Sequence, residues 1–147
     1  MDIIIQLLAA LIGSLGFALI FNAGKKTLFP SSFGGMLGWA VYLLFEHLDV
    51  GVFLASIAAA AFCQIYSEVF ARALKAPTTV FYITAIVPLV PGGSLYNTMY
   101  NAAINDWDKF KYYGATTLKV AFGIAVGASF VSAIMLLLPK RNLSSIT

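Results

Sequence analysis

The chain has 147 residues, 61% of them hydrophobic and only 10% charged, with a mean hydropathy of +0.90. A soluble domain carries about 25% charged residues, so this composition cannot build a water-facing surface. The net charge of +3 is small and its basic residues are dispersed, which leaves no nucleic-acid footprint, and the single cysteine, Cys63, can form no internal disulfide.

The first apolar segment, residues 3–23, has about the 20 residues that a helix needs to cross hydrocarbon. Asp2, the absence of an early basic residue and the segment's length set it apart from a signal peptide. Lys25 and Lys26 close it, and Pro30-Ser31-Ser32 predicts a turn. A shorter second segment, 33–48, ends in Glu46-His47-Leu48-Asp49. The third, 50–71, is followed by Arg72, Lys75 and Pro77. The fourth, 79–104, is interrupted at Pro88-Leu89-Val90-Pro91-Gly92-Gly93-Ser94, and the fifth, 118–138, ends at Pro139-Lys140-Arg141. The expected fold is all-α: one transmembrane domain, a polytopic integral membrane bundle of about five helices with the fourth broken. Gly123-Ile124-Ala125-Val126-Gly127 and Ala58-Ala59-Ala60-Ala61 read as surfaces where helices approach closely.

If all five segments cross, one face receives Lys25, Lys26, Arg72, Lys75, Lys140 and Arg141. The other receives Lys109, Lys111 and Lys119, with Asp2, Glu46, Asp49, Asp106 and Asp108. Only Lys and Arg in short loops count for orientation, and six against three makes the first face cytoplasmic. The expected localisation is the cytoplasmic membrane, multi-pass, with the N-terminus outside and the C-terminus inside.

The break is the strongest functional signal. Two prolines remove backbone donors and two glycines disfavour helix. In hydrocarbon an unpaired backbone group costs several kcal/mol, so such a segment survives only against protein or a polar cavity. After it, Ser94, Asn97, Thr98, Asn101 and Asn105 recur at helical spacing and share one side. Ser94 is placed as an N-cap, and the first amides of the half-helix, over Gly92, Gly93, Ser94 and Leu95, lack intrahelical acceptors. With Asn97, Thr98 and Asn101 they could bind a carboxylate through fixed dipoles. The competing reading is a kinked helix whose polar stripe hydrogen-bonds its neighbours.

Weaker candidates are Tyr96, within a turn of the break, as a cavity wall, and Asn22, as a cavity residue or part of a helix end with Gly24 at the C-cap. Glu68 and Arg72, at i and i+4, read as an ion pair with Arg72 reaching the interface; the alternative is a coupling proton on Glu68. Trp107, Tyr112 and Tyr113 form an interfacial aromatic belt. No metal-ligand spacing surrounds His47, no nucleophile elbow surrounds Ser94, and no phosphate-binding loop is present. No enzyme, metal or cofactor is therefore expected.

Gly16-Phe17-Ala18-Leu19-Ile20-Phe21-Asn22 and Ile86-Val87-Pro88-Leu89-Val90-Pro91-Gly92-Gly93-Ser94-Leu95-Tyr96 resemble the threonine/serine exporter family, specifically its shorter, second-half subunit. The similarity runs through nearly the whole chain in span order, and the proline-glycine segment is its most specific part. The resemblance implies export of threonine and serine, or in one bacterial branch the dicarboxylate succinate, driven by an ion gradient. It also implies a larger first-half subunit as partner. Five short helices are few to enclose a cavity, so the alternative to that partner is a homo-oligomer. The expected partners are thus a small-molecule substrate, the lipid bilayer and another membrane subunit. Two other functions compete: a non-transporting scaffold that stabilises a larger partner, and a small-solute channel.

Overall fold

The computed structural model describes residues 2–137, and every regular element among them is helical. The helices are α1 (Ile3–Ile20), α2 (Lys25–His47), α3 (Val52–Leu74), α4 (Thr78–Ile86), α5 (Gly92–Ala103) and α6 (Trp107–Leu137), with a 3₁₀ turn at Val87–Leu89 continuing α4. Helices α1, α2, α3 and α6 are each long and apolar enough to cross a membrane, and α4 with α5, bent by 50° at the break, passes the same test as a pair, which makes four or five spans. The predicted end of the fifth span, with Pro139, Lys140 and Arg141, lies outside the described residues.

Helices α1, α2 and α5 end where the sequence supplies residues that tolerate left-handed backbone, and α3 ends on Lys75 at φ 51°. Asn22, Asp49 and Asn105 have φ of 54°, 53° and 60°, a region that Asn and Asp occupy more readily than other side chains. After α1, the Asn22 amide donates to Leu19 O (3.0 Å) and the Ala23 amide to Ala18 O (2.9 Å), a Schellman closure. Asn105 and Asp106 repeat it after α5, donating to Ala102 O and Asn101 O. Gly24 is therefore not the C-cap of α1. It is the N-cap of α2, and Asn22 takes the left-handed position.

The predicted turn at Pro30 is a second correction, because α2 starts at Lys25 and runs through it. An interior proline usually costs about 3 kcal/mol. Here the hydroxyls of Ser31 and Ser32 donate to Thr27 O (2.7 Å) and Leu28 O (2.9 Å), and Tyr66 of α3 donates to Pro30 O (2.7 Å). None of these reaches Lys26 O, the carbonyl that the proline leaves without a donor, which lies in the first turns of α2 near the basic end of the bundle. Helix α6 likewise starts at Trp107 rather than near residue 118. Its 31 residues reach about 46 Å, longer than the ~30 Å of a hydrocarbon core, and its first turns carry Trp107, Tyr112 and Tyr113.

Helix α2 is central because its glycines admit neighbours on several sides. A Cβ on Gly34 would fall 2.6 Å from Tyr66, one on Gly35 would overlap Ser14 of α1, and one on Gly38 would overlap the Cys63 sulfur. The GxxxG of α6 does the same against α3: Gly123 faces Phe53 O and Ser56, and Gly127 faces Ile57 O. Loops of a few residues make α1, α2 and α3 successively antiparallel. Lys25, Lys26, Arg72 and Lys75 thus gather at one end of the bundle, and Gln6, Trp39 and Tyr42 lie toward the other.

Candidate functional site

Pro88 and Pro91 each lack the amide that would bond a carbonyl one turn earlier. The chain answers by tightening into the 3₁₀ turn, extending at Val90 (φ −62°, ψ 126°) and starting α5 at 50° to the preceding helix. Val90 donates to Val87 O (3.2 Å), Gly92 to Val90 O (2.7 Å) and Leu95 to Pro91 O (2.9 Å). Among the described residues, the amides of Gly93 and Ser94 have no acceptor. A Cβ on Gly92 or Gly93 would meet nothing within 4 Å, so the space before this helix end is open. Pro91 occupies the N-cap position and no side chain caps it. The expectation of Ser94 as N-cap is therefore corrected: Ser94 is the third residue of α5.

A cavity of about 280 Å³ lies at this point, bounded by Trp39 and Tyr42 of α2, Val52 of α3, the backbone from Pro88 to Ser94, and Thr116 and Val120 of α6. That is the small end of ligand pockets, which run about 300–1,000 Å³, and it suits a metabolite of a few heavy atoms. Trp39 and Tyr42 stack with centroids 5.0 Å apart at 18°. The Trp39 indole N–H donates to Gln6 Oε1 of α1 at 3.2 Å. Sequence reasoning missed Trp39, Tyr42 and Thr116. One signal was available: Trp39 stands well inside its segment, whereas membrane tryptophans favour the two boundaries.

Of the candidate substrate-binding residues, Gly92, Gly93 and Ser94 line this cavity, beside Pro88 to Pro91 of the break, and Leu95, Asn97, Thr98 and Asn101 do not. Leu95 is exposed on the outer side of α5. Asn97 donates to Gly93 O (2.8 Å), Thr98 to Ser94 O (2.7 Å) and Asn101 to Asn97 O (2.6 Å), each reaching back one turn on its own helix. Thr98 and Asn101 are buried, and the Thr98 methyl lies 3.5 Å from a Cβ built on Gly114 of α6. The polar stripe is thus a seam between α5 and α6. Tyr96 stacks on Tyr100 at 6.3 Å and is 69% exposed, so it is no wall of the cavity.

Asn22 is exposed at the end of α1. Glu68 and Arg72 pair at 3.5 Å, and the guanidinium also approaches the Met135 sulfur at 3.9 Å. At the far end of the bundle Asp106 caps α6, accepting from the Lys109 amide (3.2 Å) and pairing with its ammonium (3.0 Å). The Lys109 side-chain and backbone hydrogen bonds hold the Asp106 carboxyl below its ordinary pKa. Among the described residues, no three His, Cys, Asp or Glu side chains gather as metal ligands.

The chain matches the family described as Threonine/Serine exporter, ThrE, over residues 6–134. An uncharacterized protein of Haemophilus influenzae is 26% identical over 99 residues, covering 67% of this chain and 33% of that protein. The chain therefore spans about a third of the length of this curated relative. No solved structure matches. The family match takes in α1 through most of α6 and includes the broken span, and the apolar helices make this a multi-pass membrane protein. The chain belongs to the threonine/serine exporter family, a family of transporters.

Proposed function

We propose that the chain is one half of a secondary transporter that exports small carboxylate-bearing metabolites, with serine- and threonine-type amino acids foremost, across the cytoplasmic membrane. One observation carries the reading. The N-terminus of α5 presents the acceptor-free amides of Gly93 and Ser94 to a small cavity at a break in an apolar helix. A half-helix end of this kind attracts an anionic group without a formal positive charge.

In this reading the carboxylate sits on those amides, within reach of the Ser94 hydroxyl, while the Thr116 hydroxyl donates to Tyr112 O (3.0 Å) and serves as wall. The ammonium faces the Trp39–Tyr42 pair, whose ring faces attract cations. No Lys or Arg lines the cavity, which favours one carboxylate balanced by an ammonium over a dicarboxylate. Thr98 and Asn101, both buried, support the site by holding α5 on α6, and Asn97 by bonding back to Gly93 O in its first turn. The N-terminus lies outside, and a larger subunit supplies the first half of the transporter. The unmatched two thirds of the Haemophilus influenzae relative is long enough to hold such a half.

The test is amino-acid efflux from cells expressing the chain with a larger partner, normalised to membrane-inserted protein. Gly93→Leu projects into open space, so it should insert normally and yet lose about tenfold or more of its specific activity, some 1.4 kcal/mol. Ser94→Ala should act more mildly, because its amide remains. Normal specific activity for Gly93→Leu would sink the site and favour the scaffold. Flux without saturable counterflow would favour a channel.

A further inference from the structure

A second hollow lies on the other side of Trp39. It holds about 460 Å³ and is lined by Gln6, Ala9 and Ala10 of α1 together with Trp39 and Pro88. Trp39 and Pro88 are thus walls of both hollows. The two walls differ in kind. Pro88 belongs to the backbone of the break, with φ locked by its ring, whereas Trp39 is a partly buried side chain that turns about two χ angles. Its indole is held by the bond to Gln6 Oε1 at 3.2 Å on one side and by the stack on Tyr42 on the other. Ala9 and Ala10 leave space beside it on the α1 side.

We propose that the two hollows are successive chambers of one path for the small zwitterionic substrate, with the Trp39 indole as the partition between them and Gln6 as its latch. Passage requires the indole to leave Gln6 and turn, a side-chain movement that needs no displacement of the break. Trp39 is then a positioning residue for transport. Release of its latch governs turnover more than affinity, because the amides of Gly93 and Ser94 hold the carboxylate and the ring face that meets the ammonium is unchanged by Gln6. This inference rests on the proposed transport function.

The chain has two tryptophans, so Trp107→Phe leaves Trp39 as the only indole fluorophore. In that background, with the full chain and its partner reconstituted, Gln6→Leu should raise acrylamide quenching of Trp39 about twofold without any substrate, since the freed ring moves faster and further. Saturating L-serine or L-threonine should lower it by covering the ring. In flux assays Gln6→Leu, which leaves the ring that faces the ammonium in place, should change the maximal rate about threefold or more while KM stays within about twofold, whereas Trp39→Phe should change both. Gln6→Leu is an apolar change of similar size on a membrane helix, so it keeps the test open if Trp39 variants insert poorly. Unchanged quenching in Gln6→Leu overturns the latch. Raised quenching with unchanged flux overturns the partition, because the ring is then loose without governing passage. If the parent moves neither amino acid, the substrate assignment falls instead, and the substrate-free quenching comparison still decides the latch.

Discussion

Ser14 is the residue whose chemistry fits its surroundings least. It is fully buried where α1 crosses α2, and among the described residues its hydroxyl is the one buried side-chain polar atom without a hydrogen-bond partner. An orphan hydroxyl costs about 1–3 kcal/mol, so Ser14→Ala should stabilise the protein and raise its unfolding midpoint in detergent by about 2–4 °C. A fall in that midpoint would mean that the hydroxyl has a partner in the membrane. Nothing in the sequence marked Ser14, since a serine in an apolar segment usually bonds a carbonyl one turn back. Ser56, Ser67 and Thr84 do so, at 2.6, 2.6 and 2.7 Å. The same habit accounts for the polar stripe of α5. Its spacing was legible, and Asn97, Thr98 and Asn101 each donate one hydrogen bond to a carbonyl one turn back on their own helix.

At the scale of helices, glycine position separates packing from tolerance. Gly127 of α6 lies against Ile57 O of α3, and a Cβ there would overlap it, whereas one on Gly16 of α1 would meet nothing within 4 Å. Gly127→Ala should therefore destabilise by about 1–3 kcal/mol through overpacking. Gly16→Ala should stabilise by about 0.5–1 kcal/mol through helix propensity. Thermal unfolding followed by size-exclusion in detergent reads both, and equal effects would contradict the α3–α6 seam. The break between α4 and α5 was legible because Pro and Gly act within a turn of themselves. The course of α2 through Pro30 was not, because that stretch packs on a distant element, with Tyr66 of α3, 36 residues away, donating to Pro30 O.

Over the whole molecule, the helix directions place Lys25, Lys26, Arg72 and Lys75 at one end and Asp106 with Lys109 at the other. With the basic end cytoplasmic, a chain freed of Cys63 should react with an impermeant thiol reagent from outside at Asp106→Cys, and not at Lys25→Cys or Lys75→Cys. Ser31 is unsuitable for this test because it is fully buried. Labelling of Lys75→Cys from the external side would reverse the orientation and place the chambers toward the cytoplasm.

The all-helical class, the order of the apolar segments and the break between α4 and α5 were legible in the sequence. Each of these follows from local properties: run length, hydropathy, and the missing donors of Pro88 and Pro91. Tertiary structure alone decided what meets the break. Periodicity places Ser94, Thr98 and Asn101 on one side of α5, but only the packing of α6 shows that this side is a seam. Only the crossing of α2 beside the break brings Trp39 and Tyr42 to the amides of Gly93 and Ser94. The physical reason is that a helix face is set by the chain's own 3.6-residue repeat, whereas its neighbour is set by distant residues small enough to let another helix come close.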